Sequence, residues 1–220
     1  MDADFWQSTW QKGSIGFHQS VVHTALQEHA AWFTGDAPHR VLVPLCGKTL
    51  DIPWLRDQGH RVVGVELVPD AVAAFHAEQH ISATQAPQGA FTAWSSPGVN
   101  ILQGSIFDLT AADVVGVRRV WDRAALVALT PAQRAAYAQT LRQLLPPGTL
   151  VLLSAFEYDP AVMSGPPHSI PIAEVLHHYD GCKTELLASH DDCADGAPMA
   201  EALRARGHTF WLSHLWRITL

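Results

Sequence analysis

Apolar residues follow two rhythms along this chain, short unbroken runs and spaced stripes, and the two rhythms alternate. The runs at residues 40–46 (RVLVPLC), 61–66 (RVVGVE), 99–103, 119–122 and 149–156 (TLVLLSAF) predict strands buried on both faces. Between them, residues 48–58, 70–80 led in by Pro69, 131–145 and 172–179 predict helices. Ahead of the first strand, residues 4–12 read as a short helix carrying Phe5, Trp6 and Trp10, broken by Gly13 and Gly16. Residues 20–33 read as a second helix that stops near Gly35 and Pro38. Residues 82–97 read as a turn-rich loop. Residues 183–189 and 209–220 read as the last two strands, with no helix between them and an antiparallel hairpin at one sheet edge as the expected pairing.

Strands alternating with helices imply right-handed βαβ units, hence a doubly wound α/β fold with a mostly parallel sheet. On such a sheet, ligands bind beyond the carboxyl ends of the strands near the switch point. That directs attention to the residues just past Cys46, Glu66, Gln103 and Asp122. With 220 residues, 48% of them hydrophobic, the chain can bury a sizeable core, and the expectation is one domain over 1–220. The first 35 residues are expected to form a helical lid and residues 40–220 a Rossmann-like core.

Charge removes several classes. A net charge of -7 and the lack of any Lys/Arg run argue against nucleic acid as a partner. No stretch of about 18 apolar residues predicts a membrane span. The acidic start Met1-Asp2-Ala3-Asp4 is unlike a secretory signal, and three cysteines without CxxC spacing suit a reducing cytoplasm. The thirteen histidines show neither HExxH nor Cys/His ligand spacing, so no metal is expected.

Four features carry candidate chemistry. Pro44-Leu45-Cys46-Gly47-Lys48 occupies the place of a nucleotide loop with one glycine where a dinucleotide site uses three, which disfavours a pyrophosphate and suits a cofactor without phosphate. Glu66 ends the second strand, where a carboxylate accepts hydrogen bonds from both ribose hydroxyls; the alternative is a solvated strand end. Asp122-Arg123 follows the fourth strand, with Arg123 offering a permanent planar cation, or simply a salt bridge to a nearby acid. Trp6, Trp10 and Phe17 could exclude water and attract a cation, or merely pack a helix on the sheet.

Taken together these blocks resemble the thiopurine S-methyltransferase family, particularly its bacterial members. The matching stretches are Phe5-Trp6 to Trp10, Ile15 to Gln19, Val43 to Lys48, Gly59 to Glu66, Gly104 to Leu109, Trp121 to Ala128, and Tyr158-Asp159-Pro160 with Gly165-Pro166-Pro167. The resemblance implies a seven-stranded class I methyltransferase sheet whose final edge strand is antiparallel, a monomer, and S-adenosylmethionine as methyl donor. It assigns the donor to Trp6, Trp10, Phe17, Leu45, Glu66, Ser105, Ile106 and Arg123, and places Phe17 and Arg123 at the acceptor too. Arg204 and Arg206 are further acceptor candidates, and Arg123 and Asp122 are the catalytic ones, with Asp122 or His18 as a proton acceptor if one is needed. The expected acceptor is a thiopurine or related small aromatic thiol. The alternatives are selenium or tellurium species, in a detoxifying and tellurite-resistance role, halide or thiocyanate, or a cofactor-binding scaffold without catalysis. Ala124 departs from the glycine that many members carry there.

Overall fold

A computed structural model describes residues 3–35 and 37–220. Residues 1 and 2 of the expected lid, and Asp36, lie outside them. Nine strands form one mixed sheet in the order β3-β4-β5-β2-β1-β6-β7-β9-β8. The central strands β1 (Arg40–Pro44), β2 (Arg61–Glu66), β5 (Val99–Gln103), β6 (Val117–Arg123) and β7 (Leu150–Tyr158) are parallel. Helices cover both faces, as the doubly wound expectation requires. Alternation along the strands separates two cores: Leu42, Val120 and Leu153 meet Tyr137 and Leu141 of α6 (Pro131–Leu144), while Val41, Trp121 and Leu152 share the other face with Ile52 of α4 (Asp51–Asp57) and Phe75 of α5 (Pro69–Glu78). Among the described residues, no helix is long and apolar enough to cross a membrane.

Three expectations change. The sheet has nine strands and not seven, because residues 82–97 are not a loop: β3 (Thr84–Gln88) and β4 (Phe91–Ser96) form an antiparallel hairpin that extends the sheet beyond β5. Its signal was weak. Only Phe91 and Ala93 are buried on it, and Pro87 sits on the edge strand, where a missing N–H is tolerated. The antiparallel last strand, β9 (Trp211–Thr219), is not at the edge. It lies between β7 and β8 (Lys183–Asp191), and a short helix α8 (Ala200–Ala205) joins β8 to β9 where none was expected. The expected helix 20–33 divides into α2 (Thr24–Glu28) and α3 (Ala30–Phe33), because His29 leaves helical geometry at φ -100 and ψ 6.

α1 (Ala3–Gln11) has no buried residue, and Gln7 Nε2 donates to Asp70 Oδ2 of α5 at 2.8 Å. It therefore rests against α5 at the carboxyl end of β2 as a cover, and α7 (Ile172–His178) packs against α6.

Candidate active site

A cavity of about 400 Å³ opens at the carboxyl ends of the strands, under α1. That volume is in the range of small-molecule sites. Trp6, Trp10, Phe17, Leu45 and Glu66 line it, all five named from sequence. The lid rings support one another, with the Phe17 ring 5.8 Å from Trp6 and 5.9 Å from Trp10, both edge-to-face. Phe5, Thr9, Ala124, Val127 and the Gly165–Pro167 segment complete the walls. The last three stood in the matching sequence blocks without being given a role.

The β1–α4 loop is built from unusual backbone. Leu45 has φ 47 and Gly47 φ 52, and a Cβ on Gly47 would stand 3.2 Å from the Trp10 ring. Glycine is needed there for the left-handed conformation and for the lid's close approach. Under the loop, a Cβ on Gly64 would meet Cys46 Sγ at 2.8 Å, so β2 and the loop touch only because that position has no side chain.

Glu66 is 6% exposed and holds the loop to the strand end. Its Oε2 accepts the Gly47 N–H at 2.7 Å and its Oε1 accepts the Val68 N–H at 2.8 Å. Burial raises its pKa, and the N–H groups of Val68, Gly47 and Leu67 oppose that rise. A carboxylate has about four acceptor sites, so acceptor capacity remains for the cavity.

The end of β6 is divided between two faces. Asp122 is 0% exposed, and its two oxygens accept the Tyr137 hydroxyl at 2.7 Å and the Leu126 N–H at 3.0 Å. Its carboxylate is turned into the core, where its partners are α6 and the turn after β6, and it does not line the cavity as the expected proton acceptor would. Burial raises its pKa to about 6, against hydrogen bonds from Tyr137, Leu126 and Ala125.

Arg123 points to the opposite face. Its side chain makes no hydrogen bond or ion pair among the described residues, and burial lowers its pKa while the charge of Asp51 opposes that. Its field in turn helps to lower the pKa of His18 and His23, in both of which burial is the larger cause. Arg123 thus stands beside the cavity with its donors free, although it does not itself line the wall.

Ser105 and Ile106 lie one strand away from Glu66, tied to it by the Gly104 N–H donating to the Glu66 carbonyl at 2.8 Å. Ser105 Oγ caps the 3-10 turn Ile106–Asp108 through the Phe107 N–H at 3.3 Å, and Ile106 is buried. Neither lines the cavity wall.

Arg204 and Arg206 are at α8 and also do not line it. Arg204 pairs with Asp195 at 2.6 Å and donates to the Cys193 carbonyl, so the structure gives it a local structural partner and no open face toward the cavity. Sequence reasoning passed over Asp51, whose burial left no mark in the pattern.

The chemistry of this site is narrow. An aromatic cover attracts cations, a buried carboxylate at a strand end accepts paired hydroxyls, and the loop carries no glycine-rich cradle for a pyrophosphate. A nucleoside bearing a cationic group fits those donors and acceptors.

Comparison with known proteins agrees. A sequence model of the family described as Thiopurine S-methyltransferase (TPMT) matches residues 1–211. The chain is 42% identical over 187 residues to a thiopurine S-methyltransferase of Pseudomonas putida strain GB-1, covering 85% of this chain and 87% of that one. It is 42% identical over 209 residues to one of Methylococcus capsulatus, covering 94% and 92%. In fold it is similar to the 1,6-didemethyltoxoflavin-N1-methyltransferase of Burkholderia thailandensis, solved with S-adenosylhomocysteine bound, at TM-score 0.61 and 19% identity over 98% of this chain and 86% of that one. The chain belongs to the thiopurine S-methyltransferase family and is a methyltransferase that uses S-adenosylmethionine.

Proposed function

We propose that this enzyme methylates the sulfur of a thiopurine or related small aromatic thiol, with residues 1–220 acting as one methyltransferase domain and residues 1–35 as its lid. The observation that carries the reading is the pairing of an aromatic cavity with the cation of Arg123, which adjoins Ala124 of the cavity wall and makes no side-chain hydrogen bond or ion pair among the described residues.

When bound, S-adenosylmethionine supplies an electrophilic methyl group on a sulfonium sulfur. Glu66 receives the ribose hydroxyls on its remaining lone pairs while it keeps the loop in place. Ser105 and Ile106 border the nucleoside base beyond β5. Trp6, Trp10 and Phe17 exclude water and present ring faces to the positive centre. Arg123 attracts the acceptor as a thiolate, which has already lost its proton near neutral pH when the thiol is heteroaryl. No side chain is then required to remove that proton. Most of the acceleration in this scheme is orientation of the two reactants, worth about 7–11 kcal/mol, with a dry cavity strengthening the attraction between opposite charges.

The test is turnover on a panel of one thiopurine, one substituted thiophenol, selenide, telluride and iodide, with headspace analysis for volatile methylated products. S-methylated heteroaryl thiol as the fastest product is expected, with Arg123→Ala lowering kcat by about 100-fold. Volatile methylated selenium or tellurium as the sole product, or methyl iodide, would move the acceptor to that class. Cofactor binding with no product from any acceptor would refute the enzyme reading of this site.

A further inference from the structure

Behind the cavity wall, one buried acid joins three parts of the machinery. Asp51 begins α4 and is 1% exposed. Its Oδ1 accepts the backbone N–H of His23 at 2.9 Å, and its Oδ2 accepts the Trp121 indole N–H at 2.8 Å. His23 is the N-cap of α2, in the segment that runs from the aromatic lid to the core, and its ring stands edge-on to Trp121 at 5.3 Å. Trp121 precedes Arg123 by two residues on β6, so both side chains leave the strand on the same face.

A buried carboxylate held only by two neutral donors is poorly compensated, and folding alone would be served as well by an uncharged group. Arg123 lies on the same face of β6 as Trp121, feels the charge of Asp51, and makes no hydrogen bond or ion pair with it among the described residues. A direct ion pair would occupy the guanidinium; without one its donors stay open to an anion.

We propose that Asp51 is a positioning residue for methyl transfer: through Trp121 and the His23 amide it fixes the lid junction to the strand that presents Arg123. The proposal rests on reading Arg123 as the acceptor-side cation. It makes no use of proton transfer by Asp51, whose oxygens both face donors.

Asp51→Asn keeps the size, removes the charge, and sets an amide N–H against one of the two donors. The expected result is a fall in kcat for the heteroaryl thiol of about 30-fold, since a small misplacement at a reacting centre can cost up to about 100-fold. The dissociation constant for S-adenosylhomocysteine, measured by calorimetry, should stay within about three-fold of wild type. Asp51→Glu, which retains the charge, should recover part of the lost kcat. Trp121→Phe removes one donor and spares the charge; a loss of about three-fold is expected, and it carries the test together with Asp51→Glu where Asp51→Asn does not fold.

An unchanged kcat per folded molecule in these variants overturns the proposal. So does a loss of nucleoside affinity as large as the loss of kcat, which would mark a general collapse of the site. Wild type that turns over no thiol would instead sink the substrate reading, and hydrogen exchange then decides the clamp alone. The Trp121 indole proton should exchange at least about ten-fold faster in Asp51→Asn or, if that variant does not fold, the His23 amide proton should do so in Trp121→Phe. Unaltered exchange overturns the proposal.

Discussion

The ends of β2 and β6 carry the same motif with opposite outcomes. Each has a buried carboxylate at its last residue or the one before, Glu66 or Asp122, that accepts two hydrogen bonds from neighbouring groups and has its pKa raised by burial. Glu66 lines the cavity, whereas Asp122 is sealed under α6. Burial and a shifted pKa, which so often mark active sites, therefore do not separate the acid that lines the cavity from the one sealed in the core here. What separates them is whether a lone pair is left facing space that a ligand can fill.

The largest expected effect sharpens that difference. Glu66→Ala should weaken S-adenosylhomocysteine binding by roughly a thousand-fold, since two hydrogen bonds to a charged group are lost at about 1.5–3 kcal/mol each. Its stability should fall as well, by about 1–3 kcal/mol for each of the buried Gly47 and Val68 N–H groups that loses its acceptor, so affinity is referred to the folded fraction. Asp122→Asn should leave nucleoside affinity where it was. Calorimetric titration of both variants measures the contrast, and equal losses of affinity would break it.

A second, smaller effect is pH-dependent and belongs to Asp122 alone. Its folded pKa of about 6 lies above its ordinary value of 3.8, so the folded state holds the proton more tightly than the unfolded chain. Stability from this group is fully present at low pH and is lost as pH rises between those two values. Two units correspond to about 3 kcal/mol at 1.36 kcal/mol each. Asp122→Asn carries no such titration. Urea unfolding of both proteins at pH 4, 5, 6 and 7 should show the stability difference shifting toward Asn by about 2 kcal/mol across the series, the part of that total which titrates above pH 4. Comparing the pair removes the opposite trend from His18, His23, His39, His60, His76 and His168, whose pKa values burial lowers and which make both proteins lose stability as the solution becomes acid. A constant difference at all four pH values would show that Asp122 is not a costly buried charge.

Legibility in the sequence followed the physics of each element. The central strands were readable because strands buried on both faces are unbroken apolar runs, and Glu66 was readable because it closes such a run at a fixed distance from the loop. The β3–β4 hairpin was not, since an edge hairpin needs only two buried residues, Phe91 and Ala93, and its remaining positions look like a loop. Asp122 and Arg123 were legible as a pair but not as individuals. Adjacent strand residues face opposite ways, and no one-dimensional pattern tells which face holds the cavity and which holds Tyr137. Asp51 was invisible for a related reason. Its donors, His23 and Trp121, are 28 and 70 residues away and meet only through tertiary packing.

The smallest effect lies in the residue that continues β6 past Arg123. Ala124 has φ 64, lines the cavity, and occupies a position where a side chain is an impediment. Left-handed geometry costs an L-residue with a Cβ about 1–2 kcal/mol, while glycine adopts it freely but loses about 0.5–1 kcal/mol more conformational entropy on folding. The difference leaves Ala124→Gly more stable by up to about 1 kcal/mol, and thermal unfolding should report a rise in Tm of a few degrees at most. Gly47, in the β1–α4 loop that Glu66 holds, uses glycine for the same geometry, and neither Glu66 nor Leu67 has a positive φ, so the end of β2 is relaxed where the end of β6 is strained. If the variant gains stability and also loses turnover, the strain at Ala124 is part of how Arg123 is aimed. If it gains stability with kcat unchanged, the strain is incidental, and the two strand ends differ in ligand access alone.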